Sequence, residues 1–235
     1  MKLPSPGRSP FVHFLASLRR SPSRALLVVQ FLALLLYPLA GSNRAGQIAT
    51  SIISVGVLGV VVWMVHRSPR EGWFAALLAI LGVGLWSAHS FDGGLGLGVA
   101  GAGFYAATYF YAAYSLISYM MQDEHTSVDE LWAAAATFML LVEAYAWLFM
   151  ATQLLEPGAF TPAAADGSQP VRSWVELLFV SGTNFSATGL SDIVPLTPFA
   201  RMLCVIEQWN GVMYLAIVVA RLAGMLKLRR SAPRG

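Results

Sequence analysis

The chain has 235 residues, of which 57% are hydrophobic and 11% charged, with a mean hydropathy of +0.62 and a formal net charge of +3. A soluble domain carries about 25% charged residues, so this composition excludes a soluble globular fold and reads as an integral membrane protein. The lone Cys204 excludes an intrachain disulfide, and His13, His66, His89 and His125 fall on separate segments with no metal-ligand spacing.

Residues 1–23 form a basic amino-terminal segment with Lys2, Arg8, Arg19 and Arg20. Within it, "FVHFLASLRR" sets Phe11, Phe14, Leu15 and Leu18 at helical spacing. That fits an amphipathic helix on the inner leaflet or, equally, a short cytoplasmic helix or tail. The segment has no cleavage pattern of a signal peptide. A membrane-crossing helix needs about 20 mostly apolar residues. Six candidates follow, at about 24–40, 47–65, 73–88, 97–121, 131–154 and 199–226. Basic residues orient them. Arg24 stands with the amino-terminal group, Arg67 and Arg70 lie between spans two and three, and Arg221, Lys227, Arg229 and Arg230 close span six. The opposite loops hold only Arg44 and Arg172. Both termini are therefore expected in the cytoplasm, as in a multi-pass protein of a bacterial inner membrane. The loop "QDEHTSVDE" after span four is acidic and gives that orientation no support.

Three helix starts are marked. Ser127–Glu130 and Ser173–Glu176 fit capping boxes, and Thr197-Pro198 places a hydroxyl before a first-turn proline. Between spans five and six, residues 156–172 are rich in Pro, Gly and small residues and read as a loop. "SWVELLFVSGTNF" then predicts a helix of about 13 residues, too short to cross a bilayer. "SATGLSD" and Ile193-Val194-Pro195 lead back to span six. Irregular backbone at membrane depth is tolerated only where protein buries it or water reaches it. The hairpin is thus expected to be re-entrant and to line an aqueous path.

Residues 173–228 resemble the pore module of tetrameric potassium channels, most specifically in "DIVPLTPFAR" and "YLAIVVARLAG". The resemblance implies an all-α integral membrane protein with six transmembrane helices, plus a re-entrant pore helix and filter loop between helices five and six. The implied parts are a four-helix peripheral domain at 24–126, a pore domain at 127–228 and a short cytoplasmic tail at 229–235. The family's filter is Thr-Val-Gly-Tyr-Gly followed by Asp. Here Ala187, Thr188, Gly189, Leu190 and Ser191 stand in its place, after Ser186 and before Asp192. Only one glycine survives, and "FSATGLS" is similar to the single-glycine pore loops of the Trk/Ktr/HKT potassium transporters. Filter carbonyls replace the hydration shell of the ion, and turning them to one axis demands backbone angles that glycine adopts without strain. A Ser191 with positive φ would cost about 1 kcal/mol or more, so the outer filter is expected to differ in shape. The resemblance assigns K⁺ or Na⁺ to the carbonyls of Thr188 and Gly189, with no other cofactor.

Other residues carry two readings each. Asp192 forms an outer acidic ring that concentrates cations, or it braces the loop through Arg201 or the pore helix. Glu207, in span six, braces the pore helix or loop behind the filter, or bonds within its own helix to Gln208 or Asn210. Glu143, at the middle of span five, is an intramembrane acid of the kind that usually faces protein or water. Its expected partners are Thr183, Asn184 or a tyrosine of another helix, and it is grouped with Glu207, Arg201 and Thr183 as filter bracing. Gly211 occupies the family's hinge position or permits close packing. Val212, Leu215 and Val219 line the cavity or pack.

The reading is a homotetramer in the lipid bilayer, passive toward monovalent cations and weakly selective, with no nucleotide or nucleic-acid partner. No catalytic constellation is present, so the chain is not read as an enzyme. The rivals are an ion-coupled transporter subunit using Glu143 and Glu207, and a non-conducting channel paralogue. Span four carries no Lys or Arg, and a voltage sensor needs several basic residues in the field. Patch recordings should accordingly show weak voltage dependence, and steep opening with several gating charges would contradict this reading.

Overall fold

The computed structural model describes residues 22–37, 44–66, 72–121, 128–163 and 171–231. The amphipathic stretch 11–20, the capping serine Ser127, His125 and the carboxy-terminal tail from 232 onward lie outside the described residues, as do the side chains of 222–231. Among the described residues seven α-helices run in chain order: α1 Pro22–Leu36, α2 Arg44–His66, α3 Gly72–Asp92, α4 Leu95–Met120, α5 Val128–Leu155, α6 Trp174–Phe185 and α7 Pro198–Ser231. No strand occurs among the described residues; Phe160 and Pro195 form a single antiparallel bridge.

Among the described residues three helical stretches are long and apolar enough to cross a membrane: Gly72–Asp92, Asp129–Leu155 and Pro198–Arg221. Two apolar stretches, Ser23–Leu36 and Ile52–Val65, are shorter. Helix α4 has the length, at 26 residues, but its five tyrosines lower its hydropathy. Hydroxyls inside the helices are satisfied locally. Thr108, Ser115, Thr137 and Thr152 each donate to the carbonyl four residues back at 2.8–2.9 Å, so none leaves an unpaired donor in an apolar setting.

Helix α5 is the hub. Acidic Asp129 and Glu130 open its first turn, where the helix dipole favours negative charge. It packs on α4, α6, α1 and α7. In the apolar stretch of Asp129–Leu155, 67% of residues are buried, against 17% for Pro198–Arg221. The α4–α5 seam is aromatic, with Tyr105 stacked on Trp147 at 4.1 Å and Phe110 edge-on to Tyr145 at 5.3 Å. The far end of α7 returns to the start of α5 through Tyr214, whose hydroxyl donates to the Ala134 carbonyl at 2.6 Å, and through an Arg221–Glu130 ion pair at 3.1 Å.

The small residues of "GVAGAG" set the α3–α4 distance. A Cβ on Gly101 would lie 2.8 Å from the Trp86 backbone nitrogen, whereas one on Gly103 would meet nothing within 4 Å. Gly101→Ala should therefore lower the thermal stability of the detergent-solubilised protein by about 1–3 kcal/mol. Gly103→Ala should be neutral or slightly stabilising, since Ala is the better helix former by about 1 kcal/mol. Equal melting shifts for the two variants would contradict this packing.

Candidate functional site

Helix α6 starts with a complete capping box. Ser173 accepts from the Glu176 amide at 3.3 Å, and Glu176 accepts from the Ser173 amide at 2.8 Å. Its amino-terminal end meets Tyr37, just past α1, and Trp147 of α5 through Trp174, at 4.9 and 5.7 Å between ring centroids. Twelve residues on, the helix ends inside the molecule, with Thr183, Asn184 and Phe185 all buried.

That end sets the shape of the loop. The Ala187 amide donates to the Asn184 carbonyl at 2.9 Å, and the Thr188 amide to the Thr183 carbonyl at 3.0 Å. With Ala187 at φ 57°, this is a Schellman cap carrying alanine where glycine is usual. The Gly189 amide donates to the same Thr183 carbonyl at 3.1 Å, and the Thr188 hydroxyl approaches it at 3.2 Å. Thr183 therefore braces the loop through its carbonyl; its own hydroxyl turns back to Val180. Ser186 closes onto the Gly182 carbonyl at 2.7 Å and meets the Thr188 hydroxyl at 3.0 Å.

In a trans peptide the C=O points opposite to the following N–H. The amides of Thr188 and Gly189 both face Thr183, so the carbonyls of Ala187 and Thr188 face away from α6. Gly189 has φ 62°, and its carbonyl accepts from the Ser191 amide at 3.1 Å. Of the two carbonyls expected to meet an ion, Thr188 is turned outward, and Gly189 is engaged in a tight turn. The left-handed non-glycine residue is Ala187, not Ser191. Ser191 instead accepts from the Ile193 amide at 3.0 Å through its hydroxyl, which folds the outer loop into a compact turn. Leu190 and Asp192 are exposed at the tip.

Helix α7 holds this end of α6 with one band, "EQWNG". Buried Glu207 hydrogen-bonds with Ser181, whose hydroxyl also meets the Val142 carbonyl at 2.7 Å. Gln208 donates to the Asn184 side chain at 3.3 Å, and Asn210 hydrogen-bonds Tyr145 of α5. The carboxylate of Glu207 and the two amides of Gln208 and Asn210 thus reach other helices, so Glu207 braces α6 instead of bonding within α7. At Gly211 a Cβ would lie 1.9 Å from the Phe185 carbonyl oxygen. Gly211 is therefore where the last turn of α6 rests on α7, and α7 runs unbroken through it from Pro198.

Arg201 takes a different partner from the one expected, whereas Glu143 takes, of those expected, the tyrosine of another helix rather than Thr183 or Asn184. Arg201 donates to the Pro195 carbonyl at 3.1 Å rather than pairing with Asp192. Glu143 does not reach the filter: it is buried against α4, where the Tyr109 hydroxyl is its hydrogen-bond partner. Val142, one residue back, faces α6, and a helix turns about 100° per residue, which carries Glu143 to the other side. Val212, Leu215 and Val219 are exposed in the single chain. Sequence reasoning passed over Arg172. It is buried beside the start of α6 and bonded to three segments. The signal available was a lone basic residue one position before a capping serine.

Residues 130–227 match the sequence family described as Ion channel. This segment is an ion-channel domain. With its apolar helices it makes the protein an integral membrane protein. The chain is also similar to protein LctB of Bacillus caldotenax, at 26% identity over 121 residues, covering 51% of this chain and 90% of that protein. No solved structure matches it significantly. The ion-channel domain begins at the first turn of α5 and ends in α7, so it contains α6 and its loop whole.

Two substitutions separate the roles of the cap and the close approach. Ala187→Gly should stabilise the protein by about 1 kcal/mol, because it relieves a left-handed alanine. Gly211→Ala should destabilise it by about 3 kcal/mol or more through overpacking. Thermal melts of the two variants in detergent check both signs; an unchanged Gly211→Ala melt would contradict the Phe185 contact.

Proposed function

We propose that this protein is a passive channel for monovalent cations of the potassium type, formed by four copies that each give one α6 and one loop of residues 186–191. The observation that supports this most directly is the pair of carbonyls of Ala187 and Thr188 turned away from α6 within an ion-channel domain. One chain presents them from a single side, so a ring of copies is required to surround an ion. The exposed face of α7, with Trp209, Val212 and Met213 among its bare apolar residues, supplies surface for neighbouring copies and for lipid. In this arrangement α1 to α5 and α7 cross the bilayer and both termini face the cytoplasm. The four-helix part at 24–126 surrounds the pore part at 127–228.

Selectivity between K⁺ and Na⁺ is weak in this reading. Two outward carbonyls per copy replace less of the hydration shell than a full filter, so the identity of the ion is felt less. The Ser186 and Thr188 hydroxyls are turned back on α6, so water completes the shell of a partly hydrated ion beside the carbonyls. Asp192, exposed at the tip, gives the outer mouth its negative ring. Glu207 and Thr183 hold α6 in place. Val212, Leu215 and Val219 line the inner cavity, and bending at Gly211 opens it. The tight turn at Gly189 and Ser191 favours one second reading, a subunit that assembles without conducting.

Native mass measurement should give four subunits. Reversal potentials in planar bilayers under bi-ionic K⁺/Na⁺ conditions should give a permeability ratio within about tenfold, worth about 1.4 kcal/mol. The ratio should rise in Leu190→Tyr with Ser191→Gly. A stable monomer sinks the channel reading. A tetramer with no current in either ion supports the non-conducting one. Strong exclusion of Na⁺ by the wild type would show that a single-glycine loop makes a full filter.

A further inference from the structure

The segment that follows the filter is tied to the loop that follows α5. The Thr161 amide donates to the Val194 carbonyl at 3.0 Å, and the Leu196 amide to the Ala159 carbonyl at 2.8 Å. The Val194 amide donates to the Thr161 hydroxyl at 3.2 Å. These bonds fix the outer exit of the filter only as firmly as residues 159–162 are themselves held; the Ala159 amide on the Glu156 carbonyl at 2.9 Å and buried Phe160 against Phe149 at 5.4 Å hold the first two of them.

Arg172 supplies the hold on the other two, Thr161 and Pro162. Its Nε donates to the Thr161 carbonyl at 2.7 Å, and Nη2 donates to the Pro162 carbonyl at 2.7 Å and approaches the Thr161 hydroxyl at 3.3 Å. Nη1 pairs with Glu176, in the first turn of α6, at 2.7 Å. The backbone of Arg172 is bonded in both directions by the Gln153 amide of α5, at 2.8 and 2.9 Å. The side chain is only 9% exposed. A planar guanidinium with donors on fixed vectors serves several acceptors at once, which a lysine ammonium on a flexible stem does not reproduce. Burial pushes the Glu176 carboxyl up, but the Ser173 amide, Arg172 and the Ser173 hydroxyl outweigh it and hold the group below its ordinary value. Stability from a depressed carboxylate is present above its unfolded pKa and lost as pH falls through the folded one, so the pair is intact at neutral pH.

Resting on the channel reading above, we propose that Arg172 is a positioning residue for permeation. Through residues 159–162 it fixes the outer exit of the filter, Val194–Leu196 in the chain, against the start of α6. The filter loop is then tied at both ends to one rigid helix: at its inner end by the cap on Thr183, and at its outer end by Arg172. It never touches the ion; it sets where the carbonyls stand.

The test uses the full chain in detergent and in bilayers. Arg172→Gln keeps the Gln153 backbone bonds and removes the guanidinium. Hydrogen exchange at the Val194 and Leu196 amides should become at least tenfold faster, with Arg172→Lys intermediate. The bi-ionic K⁺/Na⁺ permeability ratio should shift at least twofold in the same order, while the native mass of the assembly is unchanged. If Arg172→Gln does not assemble, Thr161→Val, which leaves the Arg172–Glu176 pair intact, should speed exchange at Val194 and shift the ratio in the same direction. Unchanged exchange overturns the proposal. Faster exchange with an unaltered ratio in a conducting protein also overturns it. A wild type that carries no current defeats the channel reading instead, and exchange still decides whether Arg172 holds the exit.

Discussion

A helix that ends inside a membrane protein must have its last carbonyls satisfied there, and the rest of residues 130–227 follows from how α6 does so. Water does not reach such an end in a packed interior, and an unpaired backbone group costs several kcal/mol in an apolar setting. The last four carbonyls of α6 belong to Gly182, Thr183, Asn184 and Phe185. The first three accept from the amides of Ser186 to Gly189. The chain is therefore wound back over the helix end before it can extend. The left-handed Ala187 is the consequence, since a Schellman turn requires that conformation at its position whatever the residue. The outward carbonyls of Ala187 and Thr188 follow in turn from peptide planarity.

The fourth carbonyl, of Phe185, explains the composition of α7. It lies where a Cβ on Gly211 would stand, so α7 must offer bare backbone at that level. Around this point α7 carries Glu207, Gln208 and Asn210, each bonded to α6 or α5. A polar band in an apolar helix is costly unless each member is paired across the interface. Here the pairing fixes the depth of α6 along α7 to one register, which apolar side chains alone would leave free to slide. The other face of α7 remains apolar and exposed.

Much of this was legible in local sequence. The hydropathy breaks, the Ser173 box, the Thr197 cap and the shortness of α6 depend on neighbours within a few residues, and the helices fall in the order those signals gave. What local pattern could not carry was partner choice. Glu143 and Val142 are adjacent, and only the rotation of α5 decides which of them faces α6. Arg201 and Asp192 have opposite charges at helix-start spacing, yet the Pro195 carbonyl takes the guanidinium. Positive φ was sought at Ser191 because alignment to a multi-glycine filter put it there. The helix cap at Thr183, four residues upstream, moved the strain to Ala187. Arg172 reads in the sequence only as a loop charge for a related reason: besides Glu176 and the Thr161 hydroxyl its acceptors are backbone carbonyls, which every residue carries.

The cap and the outward carbonyls of the loop draw on the same peptides, and this limits what the loop can become. A longer ladder of axial carbonyls needs successive peptide planes free to turn toward the axis, with glycine or strain at alternate positions. Here the amides of Thr188 and Gly189 are both committed to Thr183, and the Gly189 carbonyl to Ser191. Freeing the Gly189 carbonyl means breaking the Ser191 turn, and Ser191 is held in that turn by its own hydroxyl bond to Ile193. Adding glycine at 191 removes that hydroxyl and opens left-handed backbone in one change. The same change leaves the Thr183 cap untouched. The outer half of the loop is thus the part free to evolve toward a fuller filter, and the inner half is fixed by the end of α6.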